Sequence, residues 1–150
     1  MSTSVFSLLV KRRFGPFFFT QFLGAFNDNV FRQALILLIA SGVVAGTEVN
    51  TLNNVALALF ILPFFLFSAL AGQLADKYDR AMLVRRIKLV EIFIMTFAAV
   101  GFFFNAVYFL LAVLFCMGLQ STFFGPIKYS IIPQHLPSRE LVSGNALVEM

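Results

Sequence analysis

Residues Ile92 to Ile127 read IFIMTFAAVGFFFNAVYFLLAVLFCMGLQSTFFGPI, without one charged side chain. Wound as a single helix at 1.5 Å per residue, the run would extend about 54 Å. A bilayer's hydrocarbon core is about 30 Å thick and takes about 20 apolar residues to cross. The run is therefore too long for one crossing, and Asn105 is the sensible break. A third span is expected from about Ile87 to Phe104 and a fourth from about Val107 to Gly125, joined by a tight turn.

Working outward, a first span is expected over about residues 14–40. It is interrupted by Asn27, Asp28, Asn29 and Arg32. A second covers about 54–75, with Pro63 inside it as a kink rather than an end. Downstream, Pro137-Ser138-Arg139-Glu140 reads as a helix start, with Ser138 as N-cap and Glu140 in the first turn. From about residue 139 that helix reaches only about 18 Å by Met150. The chain is thus expected to stop inside a transmembrane element, as one incomplete N-terminal bundle. The fold class expected is all-α integral membrane, with four full crossings and the start of a fifth.

Composition agrees. Of the 150 residues, 60% are hydrophobic and 12% charged, with a mean hydropathy of +0.91. Soluble domains run nearer about 45–50% and about 25%. Such a chain cannot cover a water-facing surface with polar groups.

The net charge of +4 is gathered in clusters between apolar runs. Lys11, Arg12 and Arg13 precede the first span. Lys77, Arg80, Arg85, Arg86 and Lys88 lie between or flank the second and third. Lys128 and Arg139 follow the fourth. The loops near Thr47 and Asn105 hold no Lys or Arg. Alternate loops are basic or free of basic charge, which by the positive-inside rule puts the N-terminus in the cytoplasm. No aromatic-interleaved basic strand or zinc spacing points to nucleic acid. The basic N-terminus resembles a signal peptide, but no small-x-small cleavage site follows it. No nucleophile–base–acid set or phosphate loop is present, so no enzyme is expected. Cys116 is a lone thiol in an apolar run, and His135 reads as a loop residue without a second ligand at metal spacing. No cofactor is expected.

Asp28 stands halfway along the first span, where a carboxylate costs about 2.5–3.5 kcal/mol to insert. Arg32 follows at i+4 in the favourable acid-before-base order. Gln21 precedes by seven residues on the same face, with Gly24 and Ala25 between. This polar stripe is expected to face a bundle interior or a water-filled cavity. Two readings follow: a substrate path through Gln21, Asn27, Asp28, Asn29 and Arg32, or an ion pair that only fixes helix packing. Asp76, after Gly72, can cap a neighbouring helix or pair across the bundle, and Gly72 permits close helix approach; a solvated loop is the plain alternative. Gln120 and Lys128 lie near the cytoplasmic end of the fourth span. Lys128 either attracts an anionic headgroup or anchors the helix at the interface. Glu149, four residues after Asn145, is a further candidate carboxylate. Glu91, three residues after Lys88, is expected to form a local interfacial pair.

Gly72-x-Leu74-Ala75-Asp76-Lys77-x-x-Arg80 resembles the loop 2–3 signature of the major facilitator superfamily, with Asp79 and Ala81 in place of that motif's usual glycine and basic residue. Three strings, Gln21–Asn29 (QFLGAFNDN), Gly118–Ser130 (GLQSTFFGPIKYS) and Gly144–Met150 (GNALVEM), look like the lysophospholipid transporter branch. The resemblance implies a twelve-helix transporter that moves lysophospholipids, chiefly lysophosphatidylethanolamine, across the bacterial inner membrane. It implies reacylation by an acyltransferase/acyl-carrier-protein synthetase, separate or fused to the same chain. In that picture Asp28 meets the headgroup amine and Arg32 the phosphate, while Gly72, Asp76 and Arg80 serve conformational gating. The fourth span lacks the arginine usual in proton-coupled drug exporters of the superfamily. The alternatives are a membrane module that mainly holds fused acyltransferase domains, or a different major facilitator transporter.

Overall fold

The computed structural model describes residues 8, 12, 14–43, 48–137 and 140–149, with the side chains of Gln134, His135 and Glu149 excepted. Lys11, Arg13, Thr47, Ser138, Arg139 and Met150 lie outside the described residues. Among the described residues the fold is all-α. Helix α1 spans Gly15–Leu38, α2 Glu48–Lys77, α3 Arg80–Phe103, α4 Val107–His135 and α5 Leu141–Glu149.

Local chemistry sets the helix ends. Pro16 sits in the first turn of α1, where its missing N–H costs nothing. The helix runs out through a π-helical turn, Ile39–Val43, in which Gly42 takes a φ of 89°. The α2–α3 turn is tight because Asp79 caps α3, its carboxylate accepting from the Met82 N–H at 2.9 Å. Of the readings open for Asp76, capping is not the one realised; it is exposed on the last turn of α2. The α3–α4 turn is made by Asn105 at a φ of 52°, a left-handed conformation that asparagine tolerates better than most residues.

Among the described residues two segments are long and apolar enough to cross a membrane: α2, at 30 residues, and Val107–Pro133 of α4, at 27. At 24 residues each, α1 and α3 reach about 36 Å, but they carry charge along their length. Helix α4 does not stop near Gly125. It continues through Pro126 and Pro133 to His135, so His135 ends a helix rather than sitting in a loop. Apolar helices accommodate proline where neighbouring groups re-satisfy the freed backbone. Arg80 donates from Nη1 to the Ser130 carbonyl at 2.9 Å, tying the start of α3 to this part of α4.

Helix α4 is the hub. It packs along both α2 and α3, and more lightly on α1 and α5. Its apolar window is 56% buried, against 17% for α2. The main core joins Phe31, Leu35 and Ile39 of α1 and its π turn to Leu52 and Ala56 of α2, Ala98 of α3 and Leu110, Leu114 and Met117 of α4. Large side chains such as Phe65 (84% exposed) and Phe103 (80%) point outward, as lipid-facing residues do. Lipid tails are as apolar as leucine, so helix association here rests on close packing rather than on hydrophobic transfer.

Close approach falls at Gly118, not at Gly72. A Cβ on Gly118 would run into the carbonyl oxygen of Phe60 on α2, whereas nothing lies within 4 Å of one on Gly72. Gly118→Ala should therefore destabilise the full-length protein by about 1–3 kcal/mol, the usual cost of overpacking. Gly72→Ala should leave stability level or raise it by a few tenths. Thermal unfolding in detergent compares the two; equal midpoints would remove the close contact from the account.

Candidate functional site

The polar residues of α1, α3 and α4 converge on one cavity of about 520 Å³. Helix α1 supplies Gln21, Gly24, Ala25 and Asp28; α3 supplies Lys88 and Glu91. Helix α4 supplies Gln120, Ser121 and Thr122, then Phe124 to Pro126, Lys128 and Tyr129. Phe64 and Ser68 of α2 close the remaining side. The periodicity explains the α1 face: Gln21, Gly24, Ala25 and Asp28 recur at the three- and four-residue spacing of one helix side.

A hydrogen-bonded chain runs through this cavity and ties three helices. Lys88 Nζ pairs with Glu91 Oε2 at 2.6 Å. The same oxygen accepts from Gln120 Nε2 at 3.1 Å. Ser121 lies beside Gln120, and its hydroxyl faces Gln120 Oε1 at 3.4 Å and Asp28 Oδ2 at 2.8 Å. A hydroxyl has one proton, so it donates to the nearer and charged acceptor, Asp28. Gln120 is buried and the Lys88–Glu91 pair nearly so, at 22% and 13% side-chain exposure.

Gln21, Asp28, Gln120 and Lys128 all line this cavity, but Arg32 does not join them. The expected Asp28–Arg32 pair is not formed. Arg32 donates from Nη2 to Asn29 Oδ1, and its guanidinium lies 5.5 Å from the Phe60 ring centroid. The physical reason is competition: Ser121 of α4 supplies Asp28 with a donor, while Phe60 of α2 offers Arg32 an aromatic face. Asn29 is exposed and donates back to the Ala25 carbonyl. Asn27 faces a second cavity, of about 570 Å³, shared with Lys88, Glu91, Ile92, Met95, Thr96 and Ala99. Gly72 and Asp76 are away from both cavities, and Arg80 holds the start of α3 to α4 through Ser130. The Glu149 side chain lies outside the described residues. Among the described residues no three metal-ligating side chains converge.

Lys88 and Glu91 form the local pair expected of them, but the pair sits in the polar centre rather than at the interface. A signal was available: both residues fall inside the expected third span, and an ion pair at membrane depth marks function by default. Ser121 was legible as part of the polar group Gln120-Ser121-Thr122 near the end of the fourth span, though not as the partner of Asp28; Ser68 gave no signal, since a single hydroxyl is common in apolar helices.

Ser121→Ala should leave Asp28 without its donor and cost about 1.5–3 kcal/mol. In that background Asp28→Asn should cost less than it does alone, with a coupling of about 1 kcal/mol across the double-mutant cycle. Thermal or denaturant unfolding of the full-length protein measures all four corners; strict additivity would break the Ser121–Asp28 link.

Residues 33–150 match the family model described as transmembrane secretion effector, within the major facilitator superfamily. The match begins at Gln33, after the Asp28 stripe. No curated protein and no solved structure matched the chain.

Proposed function

The chain belongs to the transmembrane secretion effector family of major facilitator transporters, and from that premise we propose that it carries lysophospholipids, chiefly lysophosphatidylethanolamine, across the bacterial inner membrane for reacylation. One observation carries the reading. The main cavity is lined by two carboxylates, Asp28 and Glu91, and two ammonium groups, Lys88 and Lys128, beside aromatic walls from Phe64, Phe124 and Tyr129. A lysophosphatidylethanolamine headgroup is itself one cation and one anion, and its single tail is apolar. A charge-balanced cavity with an aromatic wall suits such a ligand better than it suits a simple cation or anion.

In this reading Asp28 receives the headgroup amine, since its carboxylate reaches the cavity while its other contact is a replaceable hydroxyl bond. The role first given to Arg32 passes to a lysine on the cavity wall. Four of the helices cross the membrane, the N-terminus is cytoplasmic and the alternating basic loops support that direction. Arg80 and the α2–α3 turn lie on the cytoplasmic side and steady one end-state of the rocking motion. Further transporter helices complete the pathway, as alternating access around a site between two bundles requires. The partner is an acyltransferase/acyl-carrier-protein synthetase, separate or fused. The matched family's description, transmembrane secretion effector, favours a second reading, secretion of a different cargo.

The full-length protein in proteoliposomes loaded with labelled lysophosphatidylethanolamine separates these. Transbilayer movement well above that of empty vesicles is expected, falling at least tenfold with Asp28→Ala. Wild-type rates in Asp28→Ala would remove Asp28 from the path. Movement of cationic amphiphiles but of no lysophospholipid would favour the second reading.

A further inference from the structure

We infer that Lys88 receives the phosphate of the headgroup, and that Glu91 is the internal counter-ion it gives up to do so. This rests on the lysophospholipid reading for the identity of the ligand, but on the structure for the anion site. Lys88 belongs to both cavities, the one facing Asp28 and the one facing Asn27, as does Glu91. A ligand in either space therefore meets this pair.

The surroundings of Lys88 are built to hold an ammonium and leave it reactive. Its Nζ lies 5.0 Å from the Phe124 ring centroid, a favourable cation–π distance in a desolvated site. Residue 24 on α1 must be small for the lysine to reach this position. A Cβ on Gly24 would stand 2.5 Å from Nζ and nearer to it than to either Glu91 oxygen. An ammonium has three donors. Glu91 is its one hydrogen-bond acceptor among the described residues, and the ring takes none in that sense, so donors remain for a ligand.

Glu91 is suited to being displaced. It keeps the Gln120 bond when Lys88 turns to a ligand, so one donor stays on its carboxylate. A phosphodiester matches a carboxylate in charge and in presenting two anionic oxygens, so the exchange at Lys88 is like for like. A zwitterionic headgroup then adds no net charge to the cavity, its phosphate resting on Lys88 and its amine on Asp28. An anionic lysophosphatidylglycerol brings no such amine and adds one negative charge beside Asp28 and the released Glu91. The pair therefore makes the site select zwitterionic over anionic lysophospholipids.

The test uses the full-length protein and two readouts. The first is equilibrium binding of glycerophosphoethanolamine, the water-soluble headgroup, in detergent. The second is movement of lysophosphatidylethanolamine and lysophosphatidylglycerol in proteoliposomes. Lys88→Gln should weaken headgroup binding at least tenfold, and Lys88→Arg should recover most of it. Gly24→Ala, which keeps every charge but displaces Nζ, should weaken binding several-fold. Glu91→Gln should narrow the preference for the zwitterionic lipid at least fivefold. The charge-swapped pair Lys88→Glu/Glu91→Lys should regain the thermal stability lost by Lys88→Gln without regaining binding. Headgroup binding by the wild type that depends on Lys88, with no lysophospholipid movement, would uphold the anion site and sink the transport reading. Unchanged binding in Lys88→Gln, no headgroup binding by the wild type, or recovery of binding by the swapped pair would each overturn the assignment.

Discussion

A charge inside a hydrocarbon slab has no water to retreat to, and the arrangement of these helices follows from that constraint. Asp28, Lys88 and Glu91 sit on two helices that barely touch each other. They are satisfied through a third, α4, whose adjacent Gln120 and Ser121 reach one to each side. The polar chain from Lys88 to Asp28 thus acts as an interhelical tie. Hydrogen bonds of this type between membrane helices are each worth about 0.6–2 kcal/mol. They also fix rotation, because a helix turned by one residue would carry its polar group away from its partner.

Close packing then does for α2 what polar bonding does for α1. Helix α2 offers few buried residues and no charge along its membrane segment. It docks on α4 where Gly118 lets the backbone of Phe60 approach. The π turn after α1 and the Asn105 turn before α4 bring Phe31 and Phe102 into edge contact at one end of the bundle. At the other end, Phe14 and Leu8 join Ile132, Leu136 and Leu147 in a second apolar cluster. The polar cavity lies between these two apolar ends, which keeps its charges coupled to each other rather than to bulk water.

Much of this is legible in the amino-acid order and some is not. The uncharged run on either side of Asn105 can only be two helices, because its length exceeds one bilayer. Asp28 announces a polar interior because a mid-span carboxylate needs compensation. The partner of that carboxylate was not legible. Arg32 lies at the right spacing, and in an isolated helix the pair would form, but Ser121 is ninety-three residues away in sequence and closer in space. The end of α4 was hidden for a related reason: the fourth span was placed to end at about Gly125, before Pro126 and Lys128, yet the helix runs on through both prolines to His135.

Length, charge spacing and hydropathy determined by themselves that this chain is a helical membrane protein with a polar stripe on its first helix. They do so because bilayer thickness and the cost of bare charge act on each segment alone. The tertiary structure decided which polar groups face each other: Asp28 with Ser121, Glu91 with both Lys88 and Gln120, and Arg32 turned away to Phe60. Apolar residues run round most of α4, so apart from its polar group at Gln120–Thr122 its sequence carries no mark of which face meets which helix. Only the fit of Gly118 against Phe60, and the need to satisfy buried charge on two neighbours at once, selects that face.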